Sequence, residues 1–146
     1  MQTTLSIPDV SVFRLQESER GVIVLRDEDH LLRRFGQFEI VNIKGDEHGG
    51  YQLRAVADEI WAILEGEAKV ELVDLREGSP SFASILELEL HSEEKQGVLV
   101  PFDVASRFRA ESSAKLAKVS THMDGEHPED ESLSAEEMEK WRTRSG

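Results

Sequence analysis

Glu59, Tyr51 and His48 are the side chains best placed by type and context to move a proton. Glu59 opens the run EIWAIL, whose alternation puts Glu59, Trp61 and Ile63 on one face of a strand. A carboxylate buried among apolar groups has a raised pKa and works as a general base. The same carboxylate is equally satisfied by an arginine, and Arg54 lies just upstream. Tyr51 and His48 sit at the glycine-rich stretch KGDEHGG, where a plain turn role competes with proton transfer. Trp61 offers a flat ring on which a sugar or a base can stack, or else an ordinary core side chain.

Other chemistries are excluded. The chain has no cysteine, so thiol nucleophiles, disulfides and thiolate metal sites are absent. No serine–histidine–aspartate spacing and no phosphate-binding glycine loop can be read. Residues 46–50 are too short and too unlike a calcium-binding loop to act as one. The formal net charge is −13, from 30 acidic residues against 17 Lys plus Arg. Such a chain repels nucleic-acid phosphates and anionic lipid, so neither nucleic acid nor membrane is an expected partner. A small anionic ligand then needs arginines gathered locally. The start, MQTTLSIPDV, lacks the basic and apolar regions of a signal peptide, and no apolar run approaches the ~20 residues that span a bilayer. Together with the missing cysteines this predicts a cytoplasmic protein.

These residues must be positioned by strands. At 146 residues the chain is one domain in length. Runs at 10–15, 22–25, 38–43, 51–56, 60–64, 68–75, 82–90, 98–101, 105–110 and 115–121 are short, alternating and rich in β-formers. The spacing predicts an antiparallel sandwich or barrel over residues 1–123, with a turn at Glu65-Gly66-Glu67. Residues 124–146 form an acidic tail. Ser134 and Glu137 have capping-box spacing, which predicts a short helix from about 135 to 142 that docks through Met138 and Trp141.

From Glu59 onward the chain resembles the cupins. Glu59 and Gly66 match the E-x6-G of the first cupin motif, and Pro101 matches the start of the second. The histidine positions of the first motif hold Leu53 and Ala55, and the glycine and histidine of the second are Asp103 and Ser106. A cupin metal needs several converging imidazole and carboxylate donors, so no metal is expected, and no other cofactor is implied. Within the cupins the likeness is to the dTDP-4-dehydrorhamnose 3,5-epimerases and their relatives, the dTDP-hexose 3,4-ketoisomerases. VDLREGSPSF at 73–82 looks like V-D-x-R-x-x-S-P-T-F, and Glu19-Arg20-Gly21 looks like D-x-R-G. The run from Val100-Pro101 to Ala105-Ser106-Arg107-Phe108 looks like i-P-x-G-f-A-H-G-F.

The resemblance implies an all-β cupin jelly-roll barrel with a short C-terminal helix. It also implies a homodimer in which N-terminal strands pair across subunits. It assigns Arg20 to a nucleotide diphosphate, a role that suits a forked guanidinium. It brings Arg54 near the arginine of R-G-L-H, out of register. It puts Ser106, Phe108 and Ala110 on the barrel lining. The departures fall on the chemistry. A glycine stands near the position of the base histidine, and His48 fits only with a shifted gap. Glu59 replaces the lysine that would stabilise an enolate oxygen, reversing the charge there. Ala117 falls where the proton-donating tyrosine would be. The expectation is therefore a cupin that binds a sugar nucleotide or related small polar molecule without 3,5-epimerase activity. Two alternatives stay open. One is an active isomerase with a base relocated to His48, Tyr51 or Glu59. The other is a structural or regulatory barrel whose acidic tail binds a partner.

Overall fold

The computed structural model describes residues 2–27, 29–45, 50–134 and 136–138. The strands are β1 (Ser11–Arg14), β2 (Gln16–Glu17), β3 (Ile23–Val24), β4 (Gln37–Lys44), β5 (Tyr51–Leu53), β6 (Glu59–Asp74), β7 (Ile85–His91), β8 (Gln96–Val100), β9 (Val104–Arg109), β10 (Ser113–Ser120) and β11 (Glu131–Leu133). All pairings between these strands are antiparallel. The architecture is the all-β cupin barrel.

β6 organises the barrel because it belongs to both of its walls. Its first half pairs with β10 and β8, which continue outward to β4 and β1. Its second half pairs with β7 and β9, and β9 continues to β5 and β11. The turn expected at Glu65-Gly66-Glu67 is not formed: these residues lie inside one continuous strand. Gly66 has φ +80°, and a Cβ there would come within 2.3 Å of the Ser113 carbonyl oxygen. The glycine thus serves a bend and a close approach. The register against β10 shifts beside it, between Lys115 and Leu116, so Leu64 is passed over. That shift exchanges the inward parity. Trp61 and Ile63 face the core before it, and Ala68, Val70 and Leu72 face it afterwards.

The phrase at 73–82 turns out to be a corner. The Asp74 carboxylate accepts hydrogen bonds from Ser79 Oγ at 2.5 Å, Ser81 Oγ at 2.6 Å and the Arg76 amide at 3.1 Å. Arg76 Nε–H adds a charged bond at 3.0 Å, and its Nη2 reaches back to the Pro8 carbonyl at 2.6 Å. Asp74 is fully buried, and this ring of donors is what makes a buried carboxylate tolerable.

Residues beyond 123 take part in the barrel. β11 pairs with β5, and Leu133 and Met138 pack with Tyr51, Val73, Leu75 and Ala105. The capping box forms: the Glu137 amide donates to Ser134 Oγ at 3.1 Å, and residues 136–138 are helical. Trp141 lies outside the described residues.

Candidate functional site

The site gathers at the mouth of the barrel where β5, β6 and β10 meet the segment 121–130. Arg54 follows β5 and is buried. Glu59 is the first residue of β6, opposite Ser120 and Val100. Arg54 Nη1 lies 2.8 Å from Glu59 Oε2, and the same oxygen accepts from Ser120 Oγ at 3.0 Å. Lys118 Nζ stands 3.3 Å from that oxygen and 3.1 Å from Glu39. Burial alone would lower the lysine pKa, but Glu59 and Glu39 outweigh it and raise the pKa above the ordinary value. Lys118 is therefore an ammonium ion at neutral pH.

Trp61 is directly opposite Lys118, and the ammonium lies 5.0 Å from the centre of its ring. Trp61 also stacks on Phe108, with centroids 4.1 Å apart and planes inclined by 21°. The Trp61 indole N–H is buried without a hydrogen-bond partner among the described residues. Arg54, Glu59, Trp61, Lys118, Gln52 and Asp124 line a cavity of about 310 Å³. Two larger depressions, of about 460 and 410 Å³, lie elsewhere. They share Lys69 and Glu89 and contain no aromatic ring, so they read as grooves in a surface charge ladder.

The segment 121–130 forms one wall. Arg54 Nε–H donates to Asp130 Oδ2 at 2.8 Å, Nη1 faces Asp124 Oδ1 at 3.2 Å, and Nη2 donates to the His122 carbonyl at 3.4 Å. One guanidinium thus ties this strap to the barrel and neutralises Glu59.

The candidates read from sequence separate into groups. Glu59, Arg54 and Trp61 come together. Glu59 does not lie among apolar groups: it sits between two cations. Ser106 is buried opposite Leu72 and Gln52, on the interior face with Phe108. Tyr51 points to the other side of the second wall. Its hydroxyl donates to Glu71 Oε2 at 2.6 Å, and Arg107 also reaches that oxygen, at 2.7 Å. Arg109 bonds the second Glu71 oxygen, and the Arg107 guanidinium lies 4.6 Å above the tyrosine ring. Burial first, and then Glu71, push the Tyr51 pKa well above the usual phenol range. Arg20 is exposed at the tip of the β2–β3 hairpin and is not among the residues lining the cavity. His48 lies outside the described residues. Among the described residues no three His, Asp or Glu side chains converge as metal ligands.

Sequence reasoning missed Lys118, Asp124 and Asp130. Lys118 was findable: in LAKVS, the parity of Leu116 and Ser120 carries Lys118 to the interior face. The two aspartates left no signal, because only the folded strap brings them to Arg54.

A jelly-roll barrel with its polar residues gathered at one mouth defines a cupin. Comparison with known proteins narrows the class. Residues 50–137, more than half of the chain, match the dTDP-4-dehydrorhamnose 3,5-epimerase family. The chain belongs to that family. Its fold is similar to that of a dTDP sugar isomerase from Desulfovibrio desulfuricans G20, with a TM-score of 0.77, 20% identity, and 90% and 89% of the two chains covered. It is also similar to the dTDP-4-dehydrorhamnose 3,5-epimerase from Elizabethkingia anophelis NUHP1, with a TM-score of 0.75, 22% identity and coverage of 90% and 79%. A third similar structure is the dTDP-6-deoxy-D-glucose-3,5-epimerase from Legionella pneumophila Philadelphia 1 in complex with dTDP-4-keto-L-rhamnose. Here the TM-score is 0.74, the identity 23% and the coverage 90% and 75%. No curated protein sequence matches the chain.

Proposed function

We propose that this protein binds a sugar nucleotide, or a closely related polar ligand, in the cavity beside Trp61 and does not catalyse 3,5-epimerisation. The observation that carries the reading is the position of Glu59 between Arg54 and Lys118. A carboxylate stands where an enolate oxygen would need a cation, and it is ion-paired with both nearby cations. Tyr51, the remaining phenol, is locked on Glu71 on the far side of the wall and cannot serve this cavity. What the cavity retains is recognition chemistry: a guanidinium, an ammonium and a stacked indole. Family membership, and the dTDP-sugar held by the similar Legionella enzyme, support a dTDP-sugar as the ligand. Exchange of solvent deuterium into a 4-keto sugar nucleotide would instead favour an isomerase using Glu59 as base.

The same reading includes a homodimer. Phe38 and Ile40 of β4 are 54% and 48% exposed, on the outer face of the first wall. Val22, Ile23 and Leu25 around the N-terminal hairpin are exposed as well. An apolar surface of this kind supports an interface. A cysteine-free chain handling a sugar nucleotide fits the reducing cytoplasm. The test is isothermal titration with dTDP and dTDP-glucose, with thymidine as the neutral comparison. The proposal expects saturable binding of dTDP that weakens in Trp61→Ala. No heat and no thermal shift at millimolar ligand would refute it.

A further inference from the structure

Arg54 holds more carboxylates than one guanidinium needs, and the three are not equivalent. Glu59 is buried and also bonded by Ser120 and Lys118. Asp130 is tied twice, because its second oxygen accepts the Ala55 amide at 2.8 Å while Oδ2 takes Arg54 Nε–H. Asp124 differs from both. Its contact with Nη1, at 3.2 Å, is the longest of the three, and its side chain is 59% exposed. An exposed pair of this length is screened by water and salt. Asp124 also has another partner in reach, since its second oxygen accepts Gln37 Nε2 at 3.2 Å. Gly125, next in the chain, has φ +79° and lines the cavity wall with no atom within 4 Å of where a Cβ would stand.

We propose that Asp124 is a built-in competitor for the ligand's anionic group, and that a phosphate entering the cavity replaces it on Arg54 Nη1. Glu59 and Asp130 stay in place and keep the guanidinium aimed at the cavity. A phosphate suits the vacated hydrogen better than a lone carboxylate, because it brings several acceptor oxygens and more charge. Displaced Asp124 keeps its bond to Gln37, so the exchange exposes no unpaired group. Asp124 then sets the threshold for anions and leaves neutral ligands unaffected. This rests on the sugar-nucleotide reading above and adds the residue that tunes it.

The test titrates dTDP, inorganic pyrophosphate and thymidine into the full chain and into the variants Asp124→Asn, Asp124→Ser and Glu131→Gln. Glu131 lines the same wall and has no hydrogen bond to Arg54 among the described residues. Its variant therefore removes the same charge without freeing Nη1. Both Asp124 variants should bind dTDP and pyrophosphate up to about fivefold more tightly, the worth of one exposed ion pair. Glu131→Gln should gain less, and thymidine should be unchanged throughout. Equal gains in the Asp124 and Glu131 variants would mean a general field effect and would overturn the proposal, as would no gain in either. If the Asp124 gain appears but dTDP binds no better than pyrophosphate, the exchange stands and the nucleotide reading falls. If no anion binds any of the proteins, both fall.

Discussion

Lys118 Nζ lies 3.3 Å from Glu59 Oε2, reaching diagonally from β10 to the first residue of β6. The family resemblance places a lysine at position 59, and here a lysine from the adjacent strand comes to the carboxylate that replaced it. The cavity keeps its ammonium, but the ammonium is engaged. Glu59 is the hub of this arrangement, because Arg54 and Ser120 also converge on it.

Removing that hub leaves buried Arg54 and part-buried Lys118 each with one partner fewer. Glu59→Gln should destabilise the fold by about 3 kcal/mol, measured by urea denaturation. Glu59→Gln combined with Lys118→Met should recover part of the loss. An additive double variant would show that the two side chains do not interact.

Asp74 makes a second prediction, this one about the corner. Burial pushes its pKa up, but the Arg76, Ser79 and Ser81 hydrogen bonds outweigh burial and hold it below the ordinary aspartate value. A carboxyl with a lowered folded pKa contributes stability above its unfolded value, and the contribution is lost as pH falls through the folded value. Asp74→Asn should therefore cost about 2–3 kcal/mol at pH 7. The difference from wild type should shrink below pH 4, where the unfolded aspartate begins to protonate. A gap independent of pH would contradict the assignment.

His122 gives a pH dependence of the same sign in a higher pH range. Burial first, and then the neighbouring Arg34, lower its pKa, while Glu126 works the other way. Its ring Nδ1 lies 2.8 Å from Thr121 Oγ1, and its edge meets His127 with centroids 5.0 Å apart. The fold favours the neutral ring. Stability from this residue is complete above the ordinary histidine value of 6.5 and is lost as pH falls from there. Thermal unfolding between pH 8 and pH 5 should fall more steeply in wild type than in His122→Asn. Parallel profiles would refute this.

Trp61 should report ligand directly. Its ring lines the cavity and stacks on Phe108, so a ligand placed against it changes its emission. Titration with dTDP should quench tryptophan fluorescence in wild type. Trp61→Phe, which keeps a stacked ring, should lose the quench and remain folded.

The exposed Phe38 and Ile40 predict the assembly. Ile40→Asp should convert a dimer into a folded monomer in sedimentation velocity. A monomeric wild type would remove the basis for the interface.

Much of the barrel was legible because its strands alternate. Phe38 to Ile43, Ala105 to Ala110 and Lys115 to Thr121 each fall within a residue or two of a strand in the structure. The reading failed at Gly66, because a glycine flanked by glutamates looks the same in a bulge as in a turn. Only the β10 backbone pressed against it separates the two. The phrase at 73–82 was legible as specific text and as a scaffold corner, but the buried Asp74 on which it closes was not. A buried aspartate ringed by two serines and an arginine is scaffold, and the pattern resembles a site because it too needs polar residues at set positions. Glu59, Trp61 and Arg54, singled out by strand parity and proximity, line one cavity in the structure. Asp124 and Asp130 were invisible because a strap, without periodicity, delivers them from far along the chain.

Binding without epimerisation is tested by following a dTDP-4-keto-6-deoxy sugar by NMR in deuterated water. Ligand lines should broaden on adding the protein, with no deuterium at C3 or C5 after prolonged incubation. Deuterium entering either position, and ceasing to enter in Glu59→Gln, would contradict it.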